Sequence, residues 1–126
     1  MGQFDALLEP ITIKDTTIRN RTLSTGHAPG YGLNGVPAER YQLYHEEKAR
    51  GGIGLTIFGG TTTFAVDSPA IEYNSLYAGD DAIIPYFKQF ADRVHQHGGR
   101  LMCQLGHTGR KMPWDMNPWL PPLAPS

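Results

Sequence analysis

The residues best suited to chemistry are Gln104-Leu105-Gly106-His107-Thr108-Gly109-Arg110, which follow the short apolar run Leu101-Met102-Cys103. An amide, an imidazole, a hydroxyl and a guanidinium placed just where a buried strand opens into a loop form a polar cluster suited to binding a ligand. Two earlier segments repeat the arrangement. The strand-like run Thr17 to Leu23 ends in Ser24-Thr25-Gly26-His27, and Ile53 to Phe58 ends in Gly59-Gly60-Thr61-Thr62-Thr63. Three strands thus deliver small and polar residues at their C-terminal ends, the edge where parallel α/β folds bind ligands.

The elements that must position these ends follow from pattern. Pro10 to Ile13 and Thr17 to Arg21 alternate apolar and polar residues around Lys14-Asp15-Thr16, which predicts a hairpin running into a longer strand. Ala28 to Gly35 is a loop rich in Gly and Pro. Pro37 fits the first helical position, with Glu39 in the first turn, and Arg40 to Arg50 continues the helix until Gly51-Gly52 stops it. Ile53 to Phe58 is nearly continuous in apolar residues, as a strand covered on both faces requires, and a polar loop follows through Ser75. Asp80 or Asp81 can cap the next helix and Pro85 is tolerated near its start. Phe87, Phe90, Ala91 and Val94 then fall at helical spacing before Gly98-Gly99. Arg100 to Gln104 is the third strand, and Gly106 to Ser126 reads as loop, with five prolines from Pro113 onward.

This βα rhythm predicts an α/β fold, the N-terminal part of a (β/α)8 TIM barrel: about three βα units preceded by a hairpin. Such a barrel takes about 250 residues, so 126 residues predict a portion truncated after the third strand. Composition narrows the function. At 40% hydrophobic, 18% charged and a net charge of −1, the chain has no basic stripe for nucleic acid and no basic helix for a membrane surface. A small-molecule substrate is expected. The single cysteine, Cys103, allows no internal disulfide, and its apolar strand predicts a buried thiol in a reducing compartment. No apolar run approaches ~18 residues and Met1 to Leu8 lacks the pattern of a secretory signal, so the expected location is cytoplasmic. No metal is expected: His95 and His97 point in different directions on a helix, while His27, His45 and His107 lack ligand spacing. No GxGxxG follows a strand. No lysine stands at the three strand ends, which disfavours an aldolase-like barrel.

Taken together, Leu8-Glu9-Pro10-Ile11-Thr12-Ile13, Ile18-Arg19-Asn20-Arg21, Gly51-Gly52-Ile53-Gly54-Leu55, Gln104 to Arg110 and Leu123-Ala124-Pro125-Ser126 occur in the order and spacing of one family. The chain resembles the old yellow enzyme, or NADH:flavin oxidoreductase, family of FMN-binding barrels over essentially its whole length. Ser24-Thr25-Gly26-His27, Trp114-Asp115 and Trp119-Leu120-Pro121 look most like its multidomain members, which are similar to 2,4-dienoyl-CoA reductase, trimethylamine dehydrogenase and N-methylproline demethylases.

The resemblance implies an FMN-dependent oxidoreductase that passes hydride through flavin N5 to or from an enoyl, dienoyl or N-methylated amine substrate. It implies that Thr25, Gly26 and His27 lie along the flavin ring, that Gly60 sits by its O4 and N5 edge, and that the Gln104 amide bonds the pyrimidine portion. It leaves Arg110 to bond loop carbonyls or reach the cofactor edge, and His107 to orient its loop. Tyr31 and Trp114 are implied as walls of a substrate pocket, with cation–π attraction to an amine as the physical rationale. Each has a bland counterpart: Gly26, Gly59 and Gly60 also suit tight backbone turns, Gln104 a bond to a neighbouring loop, and the aromatic residues the packing of a long loop. Ala28 stands where trimethylamine dehydrogenase has its flavin-linking cysteine, which implies non-covalent FMN. Gly59 stands where many members carry an acidic residue. For a longer parent protein the resemblance further implies a 4Fe-4S cluster, FAD, NAD(P)H and a homo-oligomer. The competing expectation, from a different class, is a cofactor-free, non-catalytic fragment that needs the rest of the barrel, because the family's phosphate-binding loops follow strands seven and eight.

Overall fold

The computed structural model describes residues 2–68 and 74–109. The elements run α1 (Asp5–Leu8), β1 (Ile11–Ile13), β2 (Thr16–Ile18), β3 (Leu23–Ser24), α2 (Glu39–Arg50), β4 (Leu55–Thr63), a 3-10 turn (Asp81–Ile83), α3 (Ile84–Gln96) and β5 (Arg100–Gly106). β1 and β2 pair antiparallel, Ile11 opposite Ile18, around a tight turn in which Lys14 takes a φ of 50°. β3, β4 and β5 form a parallel sheet in that order, with α2 and α3 as the two crossovers. The hairpin and the two βα crossovers agree with the sequence expectation.

The sequence run from Thr17 to Leu23 is not one strand. It breaks after Ile18 because the next two side chains are engaged elsewhere. The Arg19 guanidinium donates to the carbonyls of Ala49 (2.6 Å), Ile53 (2.9 and 3.2 Å) and His97 (2.6 Å), the last turn of α2, the loop beyond it and the end of α3. Asn20 donates to the Gly52 carbonyl at 2.7 Å and accepts from the amide and hydroxyl of Thr22. This local turn redirects the chain into β3. Gly54 is part of the same junction, since a Cβ there would lie 2.5 Å from Asn20 Oδ1 and 2.7 Å from its carbonyl oxygen.

α2 starts two residues later than Pro37 suggests, after an extended Ala38, and Gly51 and Gly52 bond back to the Glu47 and Ala49 carbonyls at its end. Asp80 accepts from the Ala82 amide at 2.7 Å, capping the 3-10 turn that leads into α3, where Pro85 occupies the first turn. β4 is the largest departure. It continues through the glycine pair to Thr63, with the register against β5 slipping between Phe58 and Thr62, so the expected polar loop begins as a bulged strand. β5 likewise extends to Gly106, and the short α1 has no counterpart in the sequence reading.

The core lies between the sheet and its helices: Tyr41 and Ala49 from α2, Phe58 from β4, Phe90 and Val94 from α3, and Leu76. Phe58 packs edge-on to Phe90 and Phe87, with centroids 4.8 and 5.3 Å apart. Each buried aromatic ring contributes about 2–3 kcal/mol of burial. Cys103 is half-buried against this cluster rather than fully buried, and burial raises its thiol pKa. At the start of the parallel strands, Ile11, Ile13 and Ile18 of the hairpin meet Leu23 and Leu55 around an apolar hollow.

Ionisable groups from α2 are among the polar residues buried with the core. Glu46 accepts from His97 (3.1 Å) and Arg93 (3.0 Å) of α3, contacts that hold its carboxyl below its usual pKa. His45 is fully buried among the rings of Tyr41, Tyr44, Phe58, Phe90 and His27, and neither ring nitrogen has a hydrogen-bond partner among the described residues. Burial first, then the nearby Lys48 and His27, pushes its pKa down to about 3.

Two outcomes follow for stability. Arg19→Ala strands buried carbonyls at two helix ends and is expected to cost about 3 kcal/mol, with Arg19→Lys restoring only a fraction because an ammonium lacks the planar fork. Urea unfolding midpoints read this directly. For His45 the folded pKa lies below the unfolded value, so the unfolded chain binds the extra proton and stability falls as pH drops from about 6.5 toward 3. A loss of about 2 kcal/mol between pH 6.5 and 5 is expected. His45→Phe is expected to flatten that limb in pH-dependent urea titrations; an unchanged slope contradicts the assignment.

Candidate functional site at the strand ends

The parallel register brings the ends of β3, β4 and β5 to one edge. There the Gln104 side chain lies directly against Gly26, at a position that a Cβ on Gly26 would occupy. A Cβ on Gly60 would lie 2.7 Å from the His27 carbonyl carbon and from the Ala28 nitrogen, and one on Gly59 would lie 2.8 Å from the Gln104 carbonyl oxygen. Gly26, His27, Gly60 and Gln104, predicted from three separate segments, therefore meet along one rim, with Thr25 one residue upstream.

The bulge in β4 makes this approach possible. Gly59 and Gly60 adopt φ values of 102° and 59°, left-handed backbone that glycine reaches without steric cost. The Tyr41 hydroxyl, on α2, accepts from the Gly59 amide at 3.1 Å, and burial pushes the phenol pKa to about 12. The phenol therefore stays neutral and holds the bulge from behind. Beyond it, β4 is tied to the following loop through Thr63 N to Leu76 O (3.1 Å) and Ala78 N to Thr63 O (2.7 Å), while Tyr77 N reaches Gly35 O (2.8 Å). The 28–36 loop is thereby pinned beside the rim.

The individual side chains differ in what they offer. Thr25 is exposed and its carbonyl accepts from His27 Nδ1 at 3.0 Å. The His27 ring turns toward α2, with Nε2 3.0 Å from the Tyr44 hydroxyl and 3.3 Å from Lys48 Nζ, so only the His27 backbone borders Gly60. Gln104 is exposed and its amide carries both donors and an acceptor. Tyr31 is half-buried between Arg40, whose guanidinium stands 4.1 Å over its ring, and Tyr44 at 5.7 Å edge-on. His107 Nδ1 accepts from the Gly109 amide at 3.0 Å, with Nε2 3.7 Å from Asp67, which fits the loop-orienting role read from sequence. Arg110, Trp114, Asp115 and Trp119 lie outside the described residues.

Sequence reasoning missed Tyr44 and Lys48, which pattern alone marks as ordinary helix residues. Their spacing of four, with Arg40 four earlier, is the available signal: one face of α2 presents a cation, an aromatic ring and a second cation. Lys48 Nζ also donates to Ser24 Oγ at 3.1 Å and stands 4.3 Å over the Tyr44 ring. Among the described residues no three of His, Cys, Asp and Glu gather as metal ligands, and no helix is long and apolar enough to cross a membrane.

A parallel sheet with crossover helices and a polar rim at its strand ends defines the class: an α/β protein built as the opening portion of a (β/α)8 barrel. The particular family follows from comparison. The profile of the NADH:flavin oxidoreductase / NADH oxidase family matches residues 6–126, and the chain belongs to that family, the FMN-binding old yellow enzyme type. It is 48% identical over 124 residues to the N,N-dimethylglycine/sarcosine dehydrogenase of Chromohalobacter salexigens, and 45% identical over 122 residues to the multifunctional alkene reductase/demethylase OYE of Caballeronia cordobensis. These alignments cover 98% and 97% of this chain but 18% of each relative, so the chain spans under a fifth of their length. Among solved structures, histamine dehydrogenase from Rhizobium sp. 4-9 superposes with a TM-score of 0.83 at 26% identity, over 99% of this chain and 18% of that one. The old yellow enzyme of Trypanosoma cruzi gives 0.73 at 28% identity, over 86% and 29%.

Gly60→Ala tests the close approach at the rim. Its new methyl group meets backbone at 2.7 Å and a φ of 59°, whereas Gly98→Ala, at φ 73°, finds only the Arg19 side chain at 3.4 Å. Backbone strain alone costs about 1–2 kcal/mol. Gly60→Ala is therefore expected to lower the urea midpoint clearly more than Gly98→Ala; equal losses would refute the contact.

Proposed function

We propose that this chain forms the first portion of the FMN-binding barrel of an oxidoreductase that takes hydride from, or delivers it to, a small organic substrate. The observation that carries this reading is the meeting of Gly26, Gly60 and Gln104 on one rim, where two backbones without side chains flank one bifunctional amide. That donor set fits a planar heterocycle with alternating donor and acceptor edges. Bound there without a covalent link, FMN supplies a hydride-accepting and hydride-donating centre at N5.

In this proposal the Gln104 amide donates and accepts hydrogen bonds along the pyrimidine edge, the Thr25 hydroxyl and the backbone of Gly26 and His27 border the ring, and Gly60 leaves its O4 and N5 side uncrowded. Tyr31, with Trp114 outside the described residues, walls the substrate pocket. The names of the relatives, N,N-dimethylglycine/sarcosine dehydrogenase and probable N-methylproline demethylase, support an N-methylated amine, and alkene reductase/demethylase supports an enoyl substrate beside it. The half-buried, unpaired thiol of Cys103 fits a reducing, cytoplasmic setting. A longer protein would add the remaining strands and, by analogy with multidomain relatives, a 4Fe-4S cluster, FAD and NAD(P)H binding.

A second reading is favoured by the short span of the match: these 126 residues by themselves form a cofactor-free, non-catalytic piece. Purifying both the chain and a longer protein containing it separates the two. The longer protein is expected to carry FMN, released as free flavin on denaturation, and the chain alone is expected not to take up added FMN. A longer protein that neither holds nor binds flavin overturns the oxidoreductase proposal.

A further inference from the structure

We infer that Lys48 is a positioning residue: acting through His27, it holds the Thr25–Ala28 backbone against the Gly59–Gly60 bulge and so sets the shape of the rim. This rests on the flavin reading above for what the rim binds, and on separate observations for the strut itself.

The first observation is the tautomer of His27. Its Nδ1 lies 3.0 Å from the Thr25 carbonyl oxygen, which can only accept, so Nδ1 carries the hydrogen; its Nε2 faces the Lys48 ammonium, which can only donate, so Nε2 presents a lone pair. Two donors converge on that lone pair, the Tyr44 hydroxyl at 3.0 Å and Lys48 Nζ at 3.3 Å. Both nitrogens of the ring are thus engaged by the protein. His27 has no remaining donor or acceptor to offer a cofactor, and its contribution to the rim is made by its backbone.

The second observation is what Lys48 joins. Its ammonium donates to Ser24 Oγ at 3.1 Å, immediately before the rim segment, and reaches His27 within it, so one group on α2 grips the segment at two points. An ammonium has three hydrogens to distribute among such acceptors. No carboxylate pairs with Lys48 among the described ion pairs; the Tyr44 ring, 4.3 Å away, supplies a cation–π contact instead. Burial draws its pKa down, in keeping with a half-buried structural cation and not a solvated one.

The third observation is where the gripped backbone goes. The His27 carbonyl carbon and Ala28 nitrogen both lie 2.7 Å from the position of a Gly60 Cβ, a separation that leaves room for glycine alone. A shift of the segment opens or closes this gap and moves Gly26 relative to Gln104.

The experiment has two arms. In the full chain, nitrogen-15 NMR of His27 is expected to show the Nδ1–H tautomer, with an Nε2 resonance that moves on Lys48→Met and returns toward its original position in Lys48→Arg. An Nε2–H tautomer, or an Nε2 resonance indifferent to Lys48→Met, overturns the proposal. In a longer protein containing the chain, Lys48→Met and His27→Ala are each expected to weaken FMN binding about fivefold or more, the scale of one lost hydrogen bond, while Lys48→Arg stays closer to the unsubstituted protein. FMN binding unchanged by Lys48→Met also overturns it. If the unsubstituted protein binds no FMN, the flavin reading fails, and the His27 resonance still decides whether Lys48 holds the ring. Should Lys48→Met fail to fold, Tyr44→Phe removes the other donor on Nε2, and the tautomer in the unsubstituted chain remains decisive.

Discussion

The arrangement depends on one guanidinium. Arg19 gathers carbonyls from the end of α2, the loop just beyond it and the end of α3, all thirty or more residues from it in sequence, at the N-terminal end of the parallel sheet. Helix ends leave carbonyls without intrahelical partners, and a planar fork of donors satisfies several at once. Fixing both helices at that end determines how β4 and β5 enter the sheet. It therefore determines where their opposite ends emerge.

The two ends of the sheet thus divide the labour. At the N-terminal end, Arg19, Asn20 and Gly54 form a closed junction in which the Arg19 guanidinium and the Asn20 amide are committed to backbone and to Thr22. At the C-terminal end, α2 supports the rim from behind: Tyr41 holds the Gly59 amide, Tyr44 and Lys48 engage His27, and none of them occupies the rim itself. The side chains left facing outward are those able to meet a ligand, Gln104 foremost. This separation of support from contact is what a preorganised binding edge requires.

Much of the architecture was legible because it follows from strong local signals. The turn at Lys14-Asp15, the cap at Asp80, the apolar spacing of Phe87, Phe90 and Val94, and the continuous run of Ile53 to Phe58 each have one dominant physical reading. What escaped has equally specific causes. α2 buries Tyr41, Gln42, His45, Glu46 and Ala49, a face with three polar members, so apolar periodicity cannot reveal which side packs inward. Gln42 is accommodated by the Pro37 carbonyl and Gln89, and Glu46 by α3, through contacts that exist only after folding. The break after Ile18 was hidden because nothing in Arg19 to Leu23 interrupts a strand by composition, while the turn arises from bonds to residues thirty or more positions away as well as from the local Asn20–Thr22 contacts. The rim residues were visible as strand-end clusters and as a family resemblance; the turn of the His27 ring toward α2 was not, since it depends on partners at Tyr44 and Lys48.

The glycine bulge in β4 also works as an articulation. Upstream of it, Leu55 to Phe58 keep strict register with β5 and deliver Phe58 to the core; downstream, Thr62 and Thr63 take a shifted register and follow the loop that carries Leu76 and Ala78. Because the slip absorbs one misalignment already, the mouth and the foundation are mechanically decoupled within a single strand. A change in the outer segment therefore alters the shape of the entrance while the packed layer beneath keeps its geometry.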